Sequence, residues 1–169
     1  MKKTVAIIGG GPSALAAAAF LNPEQFDVTI YEKNKTLGRK FLVAGKGGFN
    51  LTHSEEIEQM ISRYSDYSIL ATALGSFTNE DLRLWLKEIG IPTFIGSSKR
   101  VYPEKGIKPI EVLNKILSVL ESNSVNIEYQ RTWSGWNSSG DLVFESGEVI
   151  CSDYVVFSLG GGSWKVTGS

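Results

Sequence analysis

Apolar positions recur along the chain in several rhythms, and each predicts a different element. Residues 4–8 (TVAII) form an unbroken apolar run, the pattern of a strand buried on both faces. Glycines 9, 10 and 11 follow, and Pro12 stands where a first helical turn accepts proline. Residues 13–21 read as a helix whose inner surface is alanine, so that its backbone can lie close to the sheet. Residues 27–31 (DVTIY) are a second strand, which ends at Glu32. A strand, helix and strand in this order cross over right-handed into a parallel sheet.

The middle of the chain has another character. Residues 36–50 show no period and read as an ordered loop with at most a helical turn. Residues 54–63 read as a short helix. Residues 78–89 read as a longer one, because Thr78 with Asp81 has capping-box spacing and Leu82, Trp85, Leu86 and Ile89 share a face. Residues 98–104 (SKRVYPE) are a short strand or turn. Residues 109–121 are a helix with Ile110, Leu113, Ile116, Leu117 and Leu120 expected inside. Residues 125–130 alternate as a strand does. Residues 132–136, 141–145 and 148–151 then suggest a small antiparallel meander. Residues 153–159 (DYVVFSL) form a last apolar strand, which runs into Gly160, Gly161 and Gly162. No helix follows to cover it. The expected fold is α/β, a Rossmann-like parallel sheet with a three-stranded β-meander crossover and a small helical insertion.

Composition narrows the function. Lys plus Arg number 17 against 18 Asp plus Glu, a formal charge of −1, so no cationic excess exists for a nucleic-acid backbone. A single cysteine, Cys151, excludes an intrachain disulfide, a CxxC pair and a cysteine-based zinc site; no metal site is expected. The longest apolar run, residues 14–21, is far shorter than the ~20 residues of a membrane span. The opening Met1-Lys2-Lys3-Thr4 leads straight into a strand, so a cytoplasmic protein without a membrane partner is expected.

The chemistry lies in the glycines. Residues 9–14 (GGGPSA) match G-x-G-x-x-A. Gly9 permits the tight turn out of the strand, Gly11 lets a pyrophosphate approach the backbone, and Ala14 lets helix and strand pack closely. Pro12 and Ser13 lie at the helix N-terminus, whose N–H groups and partial positive charge suit that pyrophosphate. Glu32 lies 23 positions after Gly9, near the ~20 expected for a carboxylate that holds a ribose. The bland alternative is an ordinary βαβ turn with a solvated glutamate. Dinucleotide binding is preferred because strand, turn, helix, strand and acid occur in the required order. NAD and FAD share this fingerprint. FAD is favoured by the second glycine cluster, which brings another strand end to the same ligand, and by the meander crossover.

Residues 38–53 (GRKFLVAGKGGFNLTH), with residues 9–14, Glu32 and residues 159–169 (LGGGSWKVTGS), resemble a family of bacterial NAD(P)/FAD-dependent oxidoreductases that includes aminoacetone-oxidase-like enzymes. Many members read GRK, then SGGGRCN, then T-N. This chain carries Gly38-Arg39-Lys40, then AGKGGFN over residues 44–50, then Thr52-His53, a wording similar to a distinct subgroup that leaves the substrate open. The resemblance covers the whole chain. It implies that the 38–53 loop wraps along the flavin side of FAD, with Lys33, Arg39, Lys40, Gly45, Lys46, Gly47, Gly48, Asn50 and Thr52 among the cofactor contacts. It also implies a longer architecture. Residues 1–169 would then be the FAD-binding domain, with 54–124 inserted, and the substrate domain and the C-terminal FAD-closing segment would be absent.

Flavin chemistry resides in the cofactor, so the lack of a catalytic triad is no argument against an enzyme. Catalytic residues are not assigned, and the candidates are His53 and Lys46. His53 is either a proton or hydrogen-bond donor to the flavin or a loop cap. Lys46 either steadies negative charge or is a solvated loop lysine. Arg39 and Lys40 suit phosphate or ribose, and equally a pairing with Glu32. Trp133 and Trp136 read as packing residues, with an adenine wall as the alternative. The expected activity is hydride transfer from a small-molecule substrate to FAD, with oxygen or another acceptor completing the cycle. An NAD(P)-binding dehydrogenase fragment, with NADP disfavoured by Glu32, is one alternative. A non-catalytic nucleotide-binding module completed by a partner is the other. The uncovered last strand invites self-association.

Overall fold

The computed structural model describes residues 1–43, 49–65 and 67–161, apart from the side chains of Lys40, Tyr67 and Ile69. The chain divides into two compact units, Met1–Val43 with Ile116–Ser169, and Ala44–Lys115.

The first unit is built on β1 (Lys3–Ile8), α1 (Pro12–Phe20) and β2 (Phe26–Glu32). Residues 36–50, expected as a loop with a helical turn, contain the short helix α2 (Arg39–Val43). Four parallel strands form the sheet, in the order β10 (Tyr154–Phe157), β1, β2, β6 (Asn126–Tyr129). The chain therefore winds away from β1 in one direction through β2 and β6, then returns to its other side with β10. That reversal creates a crevice beyond the carboxyl ends of the strands, the place where open α/β sheets bind ligands.

Strand alternation sorts the two faces. Ala6, Ile8, Tyr31 and Val155 pack with Leu142 and Phe144 of the meander strand β8 (Leu142–Phe144), joined by Trp133 of β7 (Trp133–Trp136) and Ile150 of β9 (Val149–Ile150). Val5, Ile7, Val28 and Ile30 are buried on the opposite side, where α1 packs on β1 and β2 through fully buried Ala14, Leu15 and Ala18. The meander thus covers one face of the sheet and α1 the other, as the crossover pattern requires.

The last strand departs from expectation. Its apolar run suggests complete burial, yet Tyr154 and Phe157 are half exposed. The cause is position: β10 is an edge strand, paired with β1 on one side only among the described residues. A clasp holds its start. Asp153 accepts hydrogen bonds from Lys3 Nζ (2.7 Å), Thr4 N (2.8 Å) and Thr4 Oγ1 (3.0 Å), and its own N–H donates to Thr4 Oγ1 (2.9 Å).

The second unit contains α3 (Ile57–Ile61), α4 (Tyr67–Ser76), α5 (Asn79–Glu88) and an antiparallel sheet of β3 (Thr52–His53), β5 (Arg100–Pro103) and β4 (Thr93–Ile95). The capping box predicted for α5 is formed: Thr78 Oγ1 accepts from Asp81 N, and the Asp81 carboxylate accepts from Thr78 N. Helix α4 and strands β3 and β4 were not anticipated, because the strands hold only two and three residues and α4 lacks a strong apolar period. Helix α6 (Pro109–Ser122) spans the expected residues, its last part from Ile116 belonging to the first unit. Ile110, expected inside, is exposed, and Val112 is buried instead. The inward stripe therefore starts two residues later than the periodicity suggested.

Candidate functional site

The turn out of β1 is fastened on both sides. Gly9 N–H donates to Tyr31 O (2.8 Å), and Ser158 N–H donates to Ile8 O (2.8 Å), so the ends of β2 and β10 flank the glycines. Gly9 has φ +102°, and a Cβ there would lie 2.5 Å from Ser158 O. Gly10 is constrained by side chains only, since a Cβ there would meet Leu37 Cδ2 and, at 2.8 Å, Glu32 Oε2. Gly11 differs: a Cβ built there meets nothing within 4 Å. The protein's own packing places no limit on residue 11, and the space over it is open.

Helix α1 begins at that open space. Gly11 is its N-cap and provides no side-chain hydrogen bond, Pro12 occupies the first helical position, and the first turn holds no acid. The first turn thus contributes no anion of its own to the positive end of the helix. Above it lies a crevice of about 290 Å³ whose wall includes Gly9, Gly11, Pro12 and Ser13, Glu32 and Lys33 at the end of β2, and Leu159 and Gly160 after β10. Arg39 and Arg131 also line it. Lys33 and Arg39 thus share this wall with Glu32, which suits it to an anionic ligand. Ala14 is fully buried beneath the crevice, at the packing of α1 on the sheet.

Glu32 is 7% exposed. Its Oε2 accepts from Gly10 N–H (2.7 Å), and its Oε1 accepts from Asn34 N–H (2.7 Å) and Asn34 Nδ2 (2.5 Å). The carboxylate therefore ties the glycine turn to the end of β2, while Gly38 N–H donates to Gly10 O (2.8 Å) from the following loop. Arg39 was expected to face phosphate, ribose or Glu32. It donates to Asn34 Oδ1 (2.7 Å) and does not pair with Glu32 directly, because Asn34 stands between them. Arg131 forms ion pairs with Glu128 (3.4 Å) and Glu148, and its backbone N–H donates to Glu32 O (3.0 Å). Burial pushes the Tyr31 hydroxyl above its ordinary pKa of 10.0, so this wall residue stays neutral at physiological pH.

Trp133 also lines the crevice. Its ring lies 4.8 Å from Phe157 and 6.0 Å from Trp136, centroid to centroid, and its Nε1 is buried with no hydrogen-bond partner among the described residues. It is thus both a packing residue and part of the wall.

Asn50, Thr52 and His53 belong to the second unit. Thr52 pairs with Val101 in the sheet. His53 Nε2 lies 3.2 Å from Ser98 O, and its Nδ1 accepts from Glu55 N–H (3.3 Å) and lies 3.4 Å from Glu55 Oε1. Buried Glu55 also receives Arg63 Nη2 at 2.6 Å, and Asn79 Nδ2 donates to the carbonyls of both His53 and Glu55. Both ring nitrogens are engaged inside this unit, in the arrangement of a loop cap. Gly161 is described and exposed. Gly45, Lys46, Gly47, Gly48 and Gly162 lie outside the described residues, as does the side chain of Lys40.

Gly10, Asn34, Arg131 and Ser158 are site residues that the sequence reading omits, whereas Trp133 lines the crevice in keeping with the adenine-wall alternative. Gly10 was legible as a glycine within the motif. Asn34 lies only two residues beyond Glu32, while Arg131 and Ser158 carry no local signal, since the pairings of β6 and β10 bring them in from far along the chain.

Sheet order, the glycine turn at an uncapped helix and the acid at the end of β2 define a dinucleotide-binding Rossmann domain. The chain matches the HI0933-like protein Rossmann domain over residues 3–169, and it belongs to that family. Among curated proteins it is similar to a 4,4'-diapophytoene desaturase (4,4'-diaponeurosporene-forming) of Staphylococcus aureus, at 37% identity over 62 residues. That match covers 37% of this chain and 12% of the desaturase. Among solved structures, THI4 of Thermovibrio ammonificans matches with TM-score 0.59 and 20% identity, over 94% of this chain and 58% of that one. The 3-ketosteroid-delta4-(5alpha)-dehydrogenase of Rhodococcus jostii RHA1 matches with TM-score 0.63 and 13% identity, over 95% and 46%. At such identities the structural matches speak for the fold. This chain spans under two thirds of the length of each of these proteins. None of the helices among the described residues is long and apolar enough to cross a membrane.

Proposed function

We propose that residues 1–169 form the FAD-binding domain of an oxidoreductase that passes a hydride from a small-molecule substrate to flavin, with the second unit inserted in it. The observation that carries this reading is the open space over Gly11 at the uncapped start of α1. A glycine with no packing reason of its own, at the positive end of a helix, suits a diphosphate brought against the backbone. In this reading Gly9, Gly11, Pro12, Ser13 and Ala14 form the phosphate turn and Glu32 meets the ribose. Lys33, Arg39, Arg131 and Gly160 line the approach. Lys40, Gly45, Lys46, Gly47, Gly48, Asn50, Thr52, Gly161 and Gly162 are the further contacts proposed along the cofactor. Bound flavin supplies the two-electron acceptor, and the protein's part is to hold it, orient it and exclude water. The names of the relatives, a desaturase and a dehydrogenase, agree with such a reaction.

We place the protein in the cytoplasm, in keeping with an exposed free thiol at Cys151, with no nucleic-acid partner. The exposed edge of β10 supports self-association, which light scattering would measure.

Titration of the purified protein with FAD, followed by flavin absorbance and fluorescence, tests the assignment. Saturable binding by the wild type, weakened at least about tenfold in Gly11→Ala with an unchanged circular dichroism spectrum, is the expected result. No FAD uptake by folded protein, or equal affinity in Gly11→Ala, would overturn it.

A further inference from the structure

The hydrogen-bond inventory of Glu32 points beyond a generic ribose contact. A carboxylate has about four acceptor positions on its two oxygens. Oε1 already receives two N–H groups, both from Asn34, and Oε2 receives one from Gly10. One position remains, on Oε2.

We propose that Asn34 is a positioning residue which saturates Oε1 of Glu32, so that the ribose subsite reads one hydroxyl of the diol rather than both. Asn34 is suited to this because every polar group it has is committed. Its N–H and Nδ2 donate to Glu32, its Oδ1 accepts from Arg39 (2.7 Å), and its carbonyl accepts from Gln130 N–H (3.2 Å). The amide cannot be turned over without loss. A guanidinium only donates and a carboxylate only accepts, so Oδ1 must face Arg39 and Nδ2 must face Glu32. Gln130 adopts φ +58° at the end of β6, where its N–H reaches the Asn34 carbonyl. The residue is thus held from α2 and from the β6 end while it holds the carboxylate. Burial of Glu32 keeps water from competing for Oε1.

The inference rests on the dinucleotide reading above, and the experiment separates the two. ADP, 2′-deoxy-ADP and 3′-deoxy-ADP are titrated by calorimetry into the full chain, its Asn34→Ala variant and its Asn34→Asp variant. In the wild type, one deoxy analogue binds within about twofold of ADP and the other binds about tenfold or more weakly, the scale of one hydrogen bond to a charged group. In Asn34→Ala the backbone N–H stays on Oε1 but the Nδ2 donor is gone, so an acceptor position opens there for the second hydroxyl, and the ratio between the two analogues falls towards one. Asn34→Asp keeps the acceptor for Arg39 but sets a second carboxylate against Oε1 in place of the amide donor, so the pairing that saturates Oε1 is lost by repulsion, and it gives the same collapse if the alanine variant does not fold. A merely structural role for Asn34 would weaken all three nucleotides together and preserve the ratio. Equal losses for both analogues in the wild type, no loss for either, or a ratio that survives in both variants overturns the assignment of Asn34 while ADP binding stands. Failure of ADP to bind the folded wild type overturns both readings.

Discussion

A Cβ on Gly9 would lie 2.5 Å from the backbone oxygen of Ser158, a residue 149 positions away. The glycine turn after β1 and the end of β10 are therefore one steric unit, and the backbone of Ser158 cannot yield as a flexible side chain would. Gly9 also has φ +102°, where a side chain is strained whatever the space. Gly9→Ala is expected to cost about 2 kcal/mol or more of folding stability. Gly11→Ala, with open space around it, should melt within a few degrees of the wild type. Denaturant unfolding of the two variants side by side checks the contrast, and equal stabilities would contradict it.

The clasp at the start of β10 makes strand docking pH-dependent. The Asp153 carboxyl is held down to about 2 from its ordinary 3.8 by the Lys3 side chain first and the Thr4 donors next. A depressed acid contributes stability that is present above pH 3.8 and lost as the pH falls towards 2. Lys3 is raised above 10.5 by the same hydrogen bond, so its share is complete below pH 10.5 and lost as the pH rises through the folded value. Stability measured from pH 2 to 11 should fall at both ends, and Asp153→Asn should flatten both falls. Wild-type and variant curves of the same shape would refute the clasp.

Helix α5 depends on its capping box. Thr78 Oγ1 accepts from Asp81 N at 3.2 Å and donates to the Asp81 carboxylate at 2.7 Å. Thr78→Ala removes the cap and should cost about 1 kcal/mol, whereas Thr78→Ser should restore most of it. Chemical denaturation of both variants provides the check.

The meander is held to the sheet by Phe144, which is 2% exposed and lies 5.0 Å from the Tyr31 ring, centroid to centroid. Phe144→Ala leaves a cavity at the centre of that layer and should cost about 3–5 kcal/mol. Because Tyr31 also lines the crevice, FAD affinity should fall in the same variant at temperatures where it stays folded. A loss below about 1 kcal/mol would mean that the meander packs more loosely than its burial indicates.

Local chemistry made part of this protein legible before any fold was known. The TVAII run, the glycines with Pro12, the alanine face of α1 and Glu32 at the end of β2 all obey short-range rules, and the first crossover could be read from them. The capping box of Thr78 and the meander turns were legible for the same reason. By itself, then, the chain order determined the phosphate-turn motif, the class of domain and most of the elements. Tertiary structure alone decided the rest. Parallel pairing of β10 with β1 brought the backbone of Ser158 against Gly9, and the end of β6 brought Arg131 beside Glu32. It placed Asn34 between Arg39 and the acid, exposed Phe157 on an edge strand, and turned Ile110 outward. The strand-end contacts do not follow from periodicity, because each depends on which strand becomes a neighbour and in what register. That choice is made by the burial of whole faces, not by any run of adjacent residues.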